Sequence, residues 1–337
     1  MTSTVKRSFF IMICLLILIV SACGKGASDK ASGGAGNLQK VSLMLDWYPN
    51  AVHSFLYAAK EKGYFKEQGL DVQIQMPADT NDPLRLVAAE KIDMSISYQP
   101  QVLVARSEDI PVQSFAAIVR HPLIQLMVPT DGPIHSPKDL MGKTIGYPAI
   151  PLDEAIIQTM MKTDGGDAKK VKMVDVGWDL IPAMATKKTD ALMGGFINHE
   201  KLLLDKEGHP MRTLNPADYG VPDYYELVLV GSEKGLTAKP EVFKKFLAAI
   251  TKGQQFVVDH PEEGLSILLG HEEKTSPLEK DIETKSLQIL LPLMDAKDKP
   301  FGSQDKETWE QVAEWLKSTK MIKQEVKADK AFIDIGL

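Results

Sequence analysis

The chain has 337 residues, of which 44% are hydrophobic and 25% are charged, proportions typical of a folded globular protein rather than a disordered one. Its 39 Lys and Arg against 45 Asp and Glu give a net charge of -6, which argues against a nucleic-acid-binding protein. The two cysteines, Cys14 and Cys23, lie near the N-terminus, so the remaining chain cannot form a disulfide framework, a cysteine-ligated zinc site or a cysteine nucleophile.

The N-terminus has the pattern of a secretory signal peptide. Two basic residues precede an apolar run over residues 9–20, which as a helix would span about 18 Å, too short for a bilayer core of about 30 Å. The following Val-Ser-Ala-Cys-Gly resembles the lipobox of bacterial lipoproteins, in which the cysteine is acylated. We predict a signal peptide over residues 1–22, lipidation of Cys23 and a flexible tether over residues 23–39. An ordinary signal peptide that contains a cysteine is the alternative.

After the tether, strand-like and helical segments alternate along the chain. Strands are predicted over residues 41–45, 71–76, 92–97, 112–119, 124–128, 144–147, 171–176, 191–194 and 226–230. Helices are predicted over residues 51–64, 83–90, 102–107, 154–162, 180–185, 242–260, 278–294 and 306–318. This alternation indicates an α/β architecture with mainly parallel sheets, and we expect the late helical block to pack back on the first domain.

The first candidate binding segment follows the first predicted strand and contains Asp46, Trp47, Asn50 and His53. Ligands of open α/β sheets bind outside the carboxyl ends of the strands, so this segment should face a ligand crevice. Trp47 and the tyrosine after it offer flat apolar faces for a ring, and the other three side chains offer hydrogen bonds. Each residue also has an ordinary explanation: Asn50 as a helix N-cap, Trp47 as a core residue and His53 as a solvated residue of the first helical turn.

Two further segments contain side chains suited to such a crevice. Ser97, Tyr98 and Gln101 cluster after the third predicted strand, with hydroxyl and amide groups and no charge. A polar loop that caps the next helix is the alternative for this cluster. Tyr224 and Tyr225 precede the last predicted strand, where they would line a hinge or simply pack in an interface.

A glycine-rich segment over residues 194–200, Gly-Gly-Phe-Ile-Asn-His-Glu, carries the remaining candidates. In an extended conformation Phe196, Asn198 and Glu200 would point to one side, because alternate residues of a strand share a face. A ring, an amide and a carboxylate on one face suit a nitrogen heterocycle. A strand-to-helix turn with a surface glutamate is the alternative.

Motifs of common catalytic and cofactor sites are missing from the sequence. It has no Gly-x-Ser-x-Gly nucleophile elbow, no P-loop and no Gly-x-Gly-x-x-Gly fingerprint. The seven histidines show no His-x-His or His-x-x-x-His spacing, so we predict no metal site. These absences favour a binding protein without catalytic residues or a cofactor.

The candidate segments resemble a known family. The opening LDWYPNAVHSFLYAAKEKGYFKEQGLDV is similar to that of the binding proteins for pyrimidine precursors of thiamine, within the wider group of solute-binding proteins for nitrate, sulfonates and taurine. The resemblance continues through KIDMSISYQPQVLVAR, GGFINHE and YGVPDYYELVLV, and it covers residues 40–260. It implies a two-lobed periplasmic-binding-protein-like fold of type II, with two crossover segments and the ligand in the interlobe cleft.

The resemblance also bears on individual residues. The predicted ligand-binding residues are those that match the family's motifs, together with the cluster after the third strand. They are Asp46, Trp47, Asn50, His53, Ser97, Tyr98, Gln101, Asn198, Glu200, Tyr224 and Tyr225. Eukaryotic relatives that form the pyrimidine are enzymes, with a lysine where this chain has Ser97 and a cysteine-rich stretch near the second crossover. This chain lacks both features, which favours transport over synthesis.

The resemblance therefore implies a lipid-anchored binding protein on the extracytoplasmic face of the cell membrane. As a monomer it would capture an aminopyrimidine, such as hydroxymethyl- or formylaminomethyl-pyrimidine, and pass it to the permease and ATPase of an ABC importer. We expect one lobe to comprise residues 40–128 and 225–337, and the other residues 129–224. The alternatives are the same transport role with riboflavin or a sulfonate as ligand, and an enzyme similar to pyrimidine synthases.

Overall fold

The structure is a computed structural model that describes residues 38–336. The predicted signal peptide, the lipidation site Cys23 and all but the last two residues of the predicted tether lie outside the described residues. Gln39, the last residue of that tether, is the first residue of a strand. In the described part of the chain, no helix is both long enough and apolar enough to cross a membrane.

Ten strands are present among residues 38–336. They are β1 (Gln39–Met44), β2 (Leu70–Gln75), β3 (Met94–Ser97), β4 (Val112–Val119), β5 (Leu126–Pro129), β6 (Thr144–Tyr147), β7 (Lys172–Asp175), β8 (Ala191–Leu192), β9 (Met211–Leu214) and β10 (Leu227–Ser232). All strands that the sequence predicted are found within three residues of their predicted ends.

The α-helices of the described chain alternate with these strands and then follow them. They are α1 (Ser54–Glu61), α2 (Tyr64–Glu67), α3 (Asp82–Ala88), α4 (Gln99–Ser107), α5 (Pro151–Thr163), α6 (Leu180–Ala185), α7 (Glu200–Lys206), α8 (Glu233–Ala238), α9 (Pro240–Asp259), α10 (Pro261–Leu269), α11 (Lys280–Met294), α12 (Lys306–Ser318) and α13 (Ala328–Ala331). The sequence did not predict α2, apart from its first residue, nor α7, α8, α10, α13 or β9. These elements are short or directly follow another element, so their apolar spacing covers too few residues to be distinctive.

The strands form two five-stranded sheets, with the orders β2-β1-β3-β10-β4 and β7-β6-β8-β5-β9. In the first sheet β1 pairs in parallel with β2 and β3, whereas β10 pairs antiparallel with β3 and β4. In the second, β6 pairs in parallel with β7 and β8, whereas β5 pairs antiparallel with β8 and β9. The prediction of mainly parallel sheets was therefore wrong. Strands β5 and β10 each follow a segment that crosses from the other sheet, and each runs opposite to the other strands of its own sheet.

The chain passes between the sheets twice, over residues 120–125 and 215–226. We call the part with the first sheet and the C-terminal helices lobe 1, and the part with the second sheet lobe 2. The expected boundary at residues 224 and 225 falls in the second crossover. The expected boundary at residues 128 and 129 falls inside β5, all of which pairs in the second sheet.

Lobe 1 is packed around long helix α9. The apolar residues of α9 recur at helical spacing. Phe243 is buried against the ring of Phe115, and Phe246 against the ring of Phe65. Gly253 lets this helix approach α1 closely, because a Cβ atom there would lie 2.3 Å from the carbonyl oxygen of Phe55. This packing fixes the position of α1 and of the loop that precedes it, which carries the first candidate segment.

Candidate functional site

Two small cavities lie side by side where the lobes meet. The inner cavity, of about 20 Å³, is bordered by lobe 1 and lobe 2 residues: Asp46, Trp47, Asn50, Tyr98, Pro148, Ile150, Gly194, Phe196, His199 and Glu200. The outer cavity, of about 140 Å³, is bordered by Ser97 and Gln101 of lobe 1 and by Pro151 and Leu152 of lobe 2. Asp46 and Tyr98 border both cavities, so their side chains stand where the two spaces meet.

Of the predicted ligand-binding residues, seven border one of these cavities and four do not. Asp46, Trp47, Asn50, Tyr98 and Glu200 border the inner cavity, while Ser97 and Gln101 border the outer one. His53, Asn198, Tyr224 and Tyr225 border neither cavity and have other contacts, described below.

The loop after β1 holds Asp46 through a chain of buried hydrogen bonds. Asn50 is the N-cap of the 3-10 turn Ala51–His53, and its side chain accepts the N–H of Val52 at 3.1 Å. His53, which the sequence suggested to be solvated, is fully buried. Its Nδ1 accepts the Asn50 N–H at 3.2 Å, which leaves Nε2 to donate to Asp46 Oδ1 at 3.0 Å. The capping residues thereby orient a carboxylate at the cleft.

Tyr98 completes the environment of this carboxylate. Its hydroxyl donates to Asp46 Oδ2 at 3.3 Å. Burial, reinforced by the nearby charge of Asp46, raises the pKa of Tyr98 well above its ordinary value, so the hydroxyl remains a donor. Beside it Ser97 Oγ donates to Gln101 Oε1 at 3.2 Å, within the first turn of α4.

Trp47 crosses the cleft and packs on lobe 2. Its ring centroid lies 4.1 Å from that of Trp178, and Trp47 belongs to a small apolar cluster whose other buried members are lobe 2 residues. The buried Nε1–H makes no well-formed hydrogen bond within the described residues. Sequence reasoning missed Trp178, although it follows the carboxyl end of β7 just as Trp47 follows that of β1. The same rule would also have found Pro148 and Ile150, which follow β6.

The segment over residues 194–200 is a turn that leads into α7, so the prediction of an extended segment was wrong. Gly194 has φ +89°, and a Cβ atom there would lie 2.6 Å from Cδ of Pro148. The turn lets the Phe196 N–H donate to Glu200 Oε2 at 2.8 Å. Asn198 points elsewhere, and its amide donates to Ser286 Oγ of α11 at 2.9 Å.

Glu200 and His199 form a buried ion pair at the end of this turn, with His199 Nδ1 3.0 Å from Glu200 Oε1. Burial alone would lower the pKa of His199, but Glu200 and Glu283 together raise it to about 10. Burial would raise the pKa of Glu200, but the His199 charge and the Phe196 N–H lower it below its ordinary value. The carboxylate is therefore ionised at the wall of the inner cavity. The Tyr48 hydroxyl lies 3.5 Å from His199 Nδ1.

Tyr224 and Tyr225 lie in the second crossover and bind protein groups. The Tyr224 hydroxyl donates to Glu226 Oε2 at 3.4 Å, and the Tyr225 N–H donates to Gln99 Oε1 at 2.8 Å. The Tyr225 hydroxyl accepts the Asp305 N–H at 2.8 Å. Tyr225 thus joins the second crossover to lobe 1, whereas the hydrogen bond of the Tyr224 hydroxyl stays within the crossover.

Residues 38–336 contain no cluster of three or more His, Cys, Asp or Glu side chains in a geometry suited to a metal ion. The polar groups at the inner cavity include two oriented carboxylates, a tyrosine hydroxyl and an indole N–H. Ionised carboxylates accept hydrogen bonds from amino groups, and each oxygen has a second lone pair beyond the contacts described above.

A family model described as NMT1/THI5 like matches residues 50–264 of the chain. The formylaminopyrimidine-binding protein of Halalkalibacterium halodurans is 44% identical over 332 residues, covering 98% of this chain and 99% of that protein. The 4-amino-5-hydroxymethyl-2-methylpyrimidine phosphate synthase of Legionella pneumophila is 25% identical over 287 residues, covering 84% of this chain and 87% of the synthase.

Among solved structures, the alkanesulfonate-binding protein SsuA of Xanthomonas axonopodis pv. citri, bound to MOPS, superimposes with a TM-score of 0.69. It is 12% identical in sequence, and the match covers 89% of this chain and all of that one. At this identity the likeness concerns the fold alone. It confirms the predicted two-lobed α/β fold of the periplasmic-binding-protein type.

Proposed function

The chain belongs to the NMT1/THI5-like family, and we propose that it is the solute-binding protein of an ABC importer that captures a thiamine-related aminopyrimidine. The observation that carries this proposal is the relative with 44% identity along nearly the whole of both chains, which is named for binding formylaminopyrimidine. The fold shared with a sulfonate-binding protein supports the transport role.

The side chains at the cleft are suited to such a ligand. An aminopyrimidine is planar, offers amino donors and carries ring nitrogen acceptors. We place it where the two cavities meet, beside Asp46 and Tyr98, with an amino group towards Glu200. Charge-assisted hydrogen bonds of this kind contribute about 1.5–3 kcal/mol each. The Nε1–H of Trp47 would donate to a ring nitrogen or to a formyl oxygen.

The lobes must part to admit the ligand, because the cavities between them are small and bordered by residues of both lobes. Its binding residues come from both lobes, so the ligand stabilises a closed arrangement by its greater affinity for that arrangement. The permease would then bind the closed protein. No covalent bond needs to form or break.

We propose binding rather than pyrimidine synthesis for this chain. The synthase among the relatives shares 25% identity, well below the 44% of the binding protein. Ser97 stands where the resemblance puts the lysine of the synthases, and its hydroxyl is engaged with Gln101. A serine hydroxyl cannot replace the side-chain amine of the lysine that the synthases carry at this position.

The location of the protein is also part of the proposal. We propose that residues 1–22 direct export, that Cys23 carries the lipid anchor and that the protein works as a monomer on the extracytoplasmic face of the membrane. Radiolabelled palmitate would be incorporated by the wild-type protein and not by Cys23→Ala. Equal labelling of both proteins would contradict the anchor.

The proposed ligand can be tested by thermal shift and calorimetry on residues Asn37–Leu337, which form one compact unit. We expect stabilisation by formylaminopyrimidine or 4-amino-5-hydroxymethyl-2-methylpyrimidine, reaching about 2.7 kcal/mol at a hundredfold excess over Kd. Thiamine, riboflavin, taurine and nitrate are the comparison ligands. Stabilisation by riboflavin or taurine alone would contradict the proposed ligand. Binding of pyridoxal phosphate, measured by absorbance, would favour the synthase class.

A matched pair of variants on one helix makes this test specific. Glu200→Gln removes the buried carboxylate at the cavity and should weaken aminopyrimidine binding at least about tenfold. Glu207→Gln makes the same change at the exposed C-terminal end of α7 and should leave Kd unaltered. Equal ligand affinities of the two variants would contradict a role of Glu200 in ligand binding.

A further inference from the structure

Helix α11 reaches the cleft from lobe 1 and contacts the turn that carries Glu200. Glu283 and Ser286, three residues apart and therefore on one face of the helix, are 1% and 0% exposed. Ser286 accepts the Asn198 amide, and Glu283 Oε1 lies 3.4 Å from His199 Nε2. Helix α11 lies beyond the residues matched by the family model.

Glu283 is itself held in place by the loop after β1. Its Oε2 accepts the Ala51 N–H at 2.7 Å, at the start of the helical turn that Asn50 caps. The other carboxylate oxygen is thereby directed across the cleft towards His199. One buried carboxylate thus joins the Asp46-bearing loop of lobe 1 to the binding turn of lobe 2.

His199 stands between two carboxylates from different lobes. Glu200 Oε1 faces its Nδ1 at 3.0 Å, Glu283 Oε1 faces its Nε2 at 3.4 Å, and the Tyr48 hydroxyl lies 3.5 Å from Nδ1. A neutral imidazole has a single N–H and could donate to only one of the two carboxylates. The imidazolium donates to both, and it compensates two charges that would otherwise be buried without a partner.

We propose that Glu283 is a positioning residue of the binding site, which holds His199 as an imidazolium across the closed cleft and so keeps Glu200 ionised and oriented for the ligand. The effect on the ligand rests on the proposed function, whereas the effect on His199 does not. Without the Glu283 charge, His199 would lose one of two acceptors. Glu200 would then face a neutral ring for part of the time and be a weaker acceptor for an amino group.

The first experiment needs no ligand, because the contacts between the lobes keep the closed arrangement populated without one. In residues Asn37–Leu337 the His199 ring is titrated by NMR in the wild type, in Glu283→Gln and in Glu279→Gln. Glu279 is a matched control, because it also lies at the start of α11 and pairs with Lys206 of lobe 2, but at an exposed position. We expect the His199 midpoint to fall by at least about two pH units in Glu283→Gln and to change by less than about 0.3 in Glu279→Gln.

The second experiment measures formylaminopyrimidine affinity between pH 6 and pH 9. We expect a flat profile for the wild type and, in Glu283→Gln, a loss that grows as the pH rises through the lowered His199 midpoint and reaches at least about tenfold at pH 9. Glu283→Asp keeps the charge and should restore the flat profile. A parallel loss at every pH would indicate a merely structural role and overturn the proposal.

The two experiments separate this inference from the proposed function. If no aminopyrimidine binds to the wild-type protein, the proposed function fails, and the titration still decides the role of Glu283. A wild-type His199 midpoint below pH 7, or an unchanged midpoint in Glu283→Gln, would overturn the inference even if the ligand binds. If Glu283→Gln does not fold, the His199 midpoint of the wild type still tests the inference.

Discussion

Two buried histidines near the cleft have different hydrogen-bond partners. His53 accepts a backbone N–H at Nδ1 and donates to Asp46 at Nε2, a pattern that a neutral ring satisfies. His199 faces carboxylates on both sides, a pattern that only the imidazolium satisfies. The hydrogen-bond donors and acceptors around each histidine therefore decide its role, and the residue type alone does not.

Trp47 allows a prediction at the same scale. Trp47→Ala should weaken aminopyrimidine binding by about 1–3 kcal/mol, because the ring borders the inner cavity and its burial against the ligand is lost. Trp47→Phe keeps an aromatic face and should lose less. Calorimetry measures the affinities, and urea unfolding verifies that both variants are folded. An unaltered Kd in folded Trp47→Ala would contradict a ligand contact.

At the scale of elements, one side chain joins the two crossovers. Glu226, at the end of the second crossover, accepts the N–H groups of Leu123 and Ile124 in the first, at 2.6 Å and 3.0 Å. Burial raises the pKa of this carboxyl to about 7, in spite of these hydrogen bonds, and the Asp46 charge adds to the effect. Burial likewise raises the pKa of Asp153 of α5, and the charges of Glu226 and Glu154 add to the effect.

Glu226 should therefore make stability depend on pH. Its folded-state pKa lies above the ordinary value of 4.5, so its contribution is complete below pH 4.5 and is lost as the pH rises through 7. The loss corresponds to about 3 kcal/mol. Glu226→Gln keeps an acceptor for the two N–H groups and removes the charge, so its stability should fall less between pH 5 and pH 8.

Urea unfolding at pH 5, 6, 7 and 8 would measure this difference, with the exposed Glu207→Gln as the control. The slope in Glu226→Gln should be shallower but not flat, because Asp153 titrates in the same direction. His199 contributes equally to both proteins and cancels in the comparison. Identical slopes in Glu226→Gln and the wild type would show that Glu226 is already ionised in the folded protein.

At the scale of the whole molecule, polar and aromatic contacts join the lobes at several points. On the side of the inner cavity they are Trp47 with Trp178 and His199 with Glu283. Elsewhere Thr80 Oγ1 donates to the Pro148 carbonyl at 3.1 Å, and the Trp315 indole donates to Thr159 at 2.9 Å. These contacts and the small cavity volumes characterise a closed arrangement.

The closed arrangement predicts a change of size with ligand. In solution, the protein without ligand should exchange between closed and open arrangements, so its radius of gyration should lie above that of the closed structure, and formylaminopyrimidine should reduce it to the closed value. Small-angle X-ray scattering measures both states, with Glu200→Gln at the same ligand concentration as the control that stays open. A scattering profile that matches the closed structure before ligand is added would be the contrary result.

Much of the fold followed from local patterns in the sequence. The ranges of β4, β6, α6 and α12 were predicted to the residue, because apolar spacing and turn residues act over a few positions. The loop after β1 was likewise singled out from its position at a strand end. These properties depend on neighbours in the chain, which a sequence displays directly.

The tertiary structure decided which of these residues meet. His199 and Glu283 are 84 positions apart, and the turn at residues 194–200 replaced an extended segment because Gly194 and Pro148 pack together. The direction of β5 and β10 depends on the path of the crossovers between the sheets. Trp178, Ser286 and Glu283 join the site for the same physical reason: contacts across a cleft arise from the packing of distant elements, which no local spacing records.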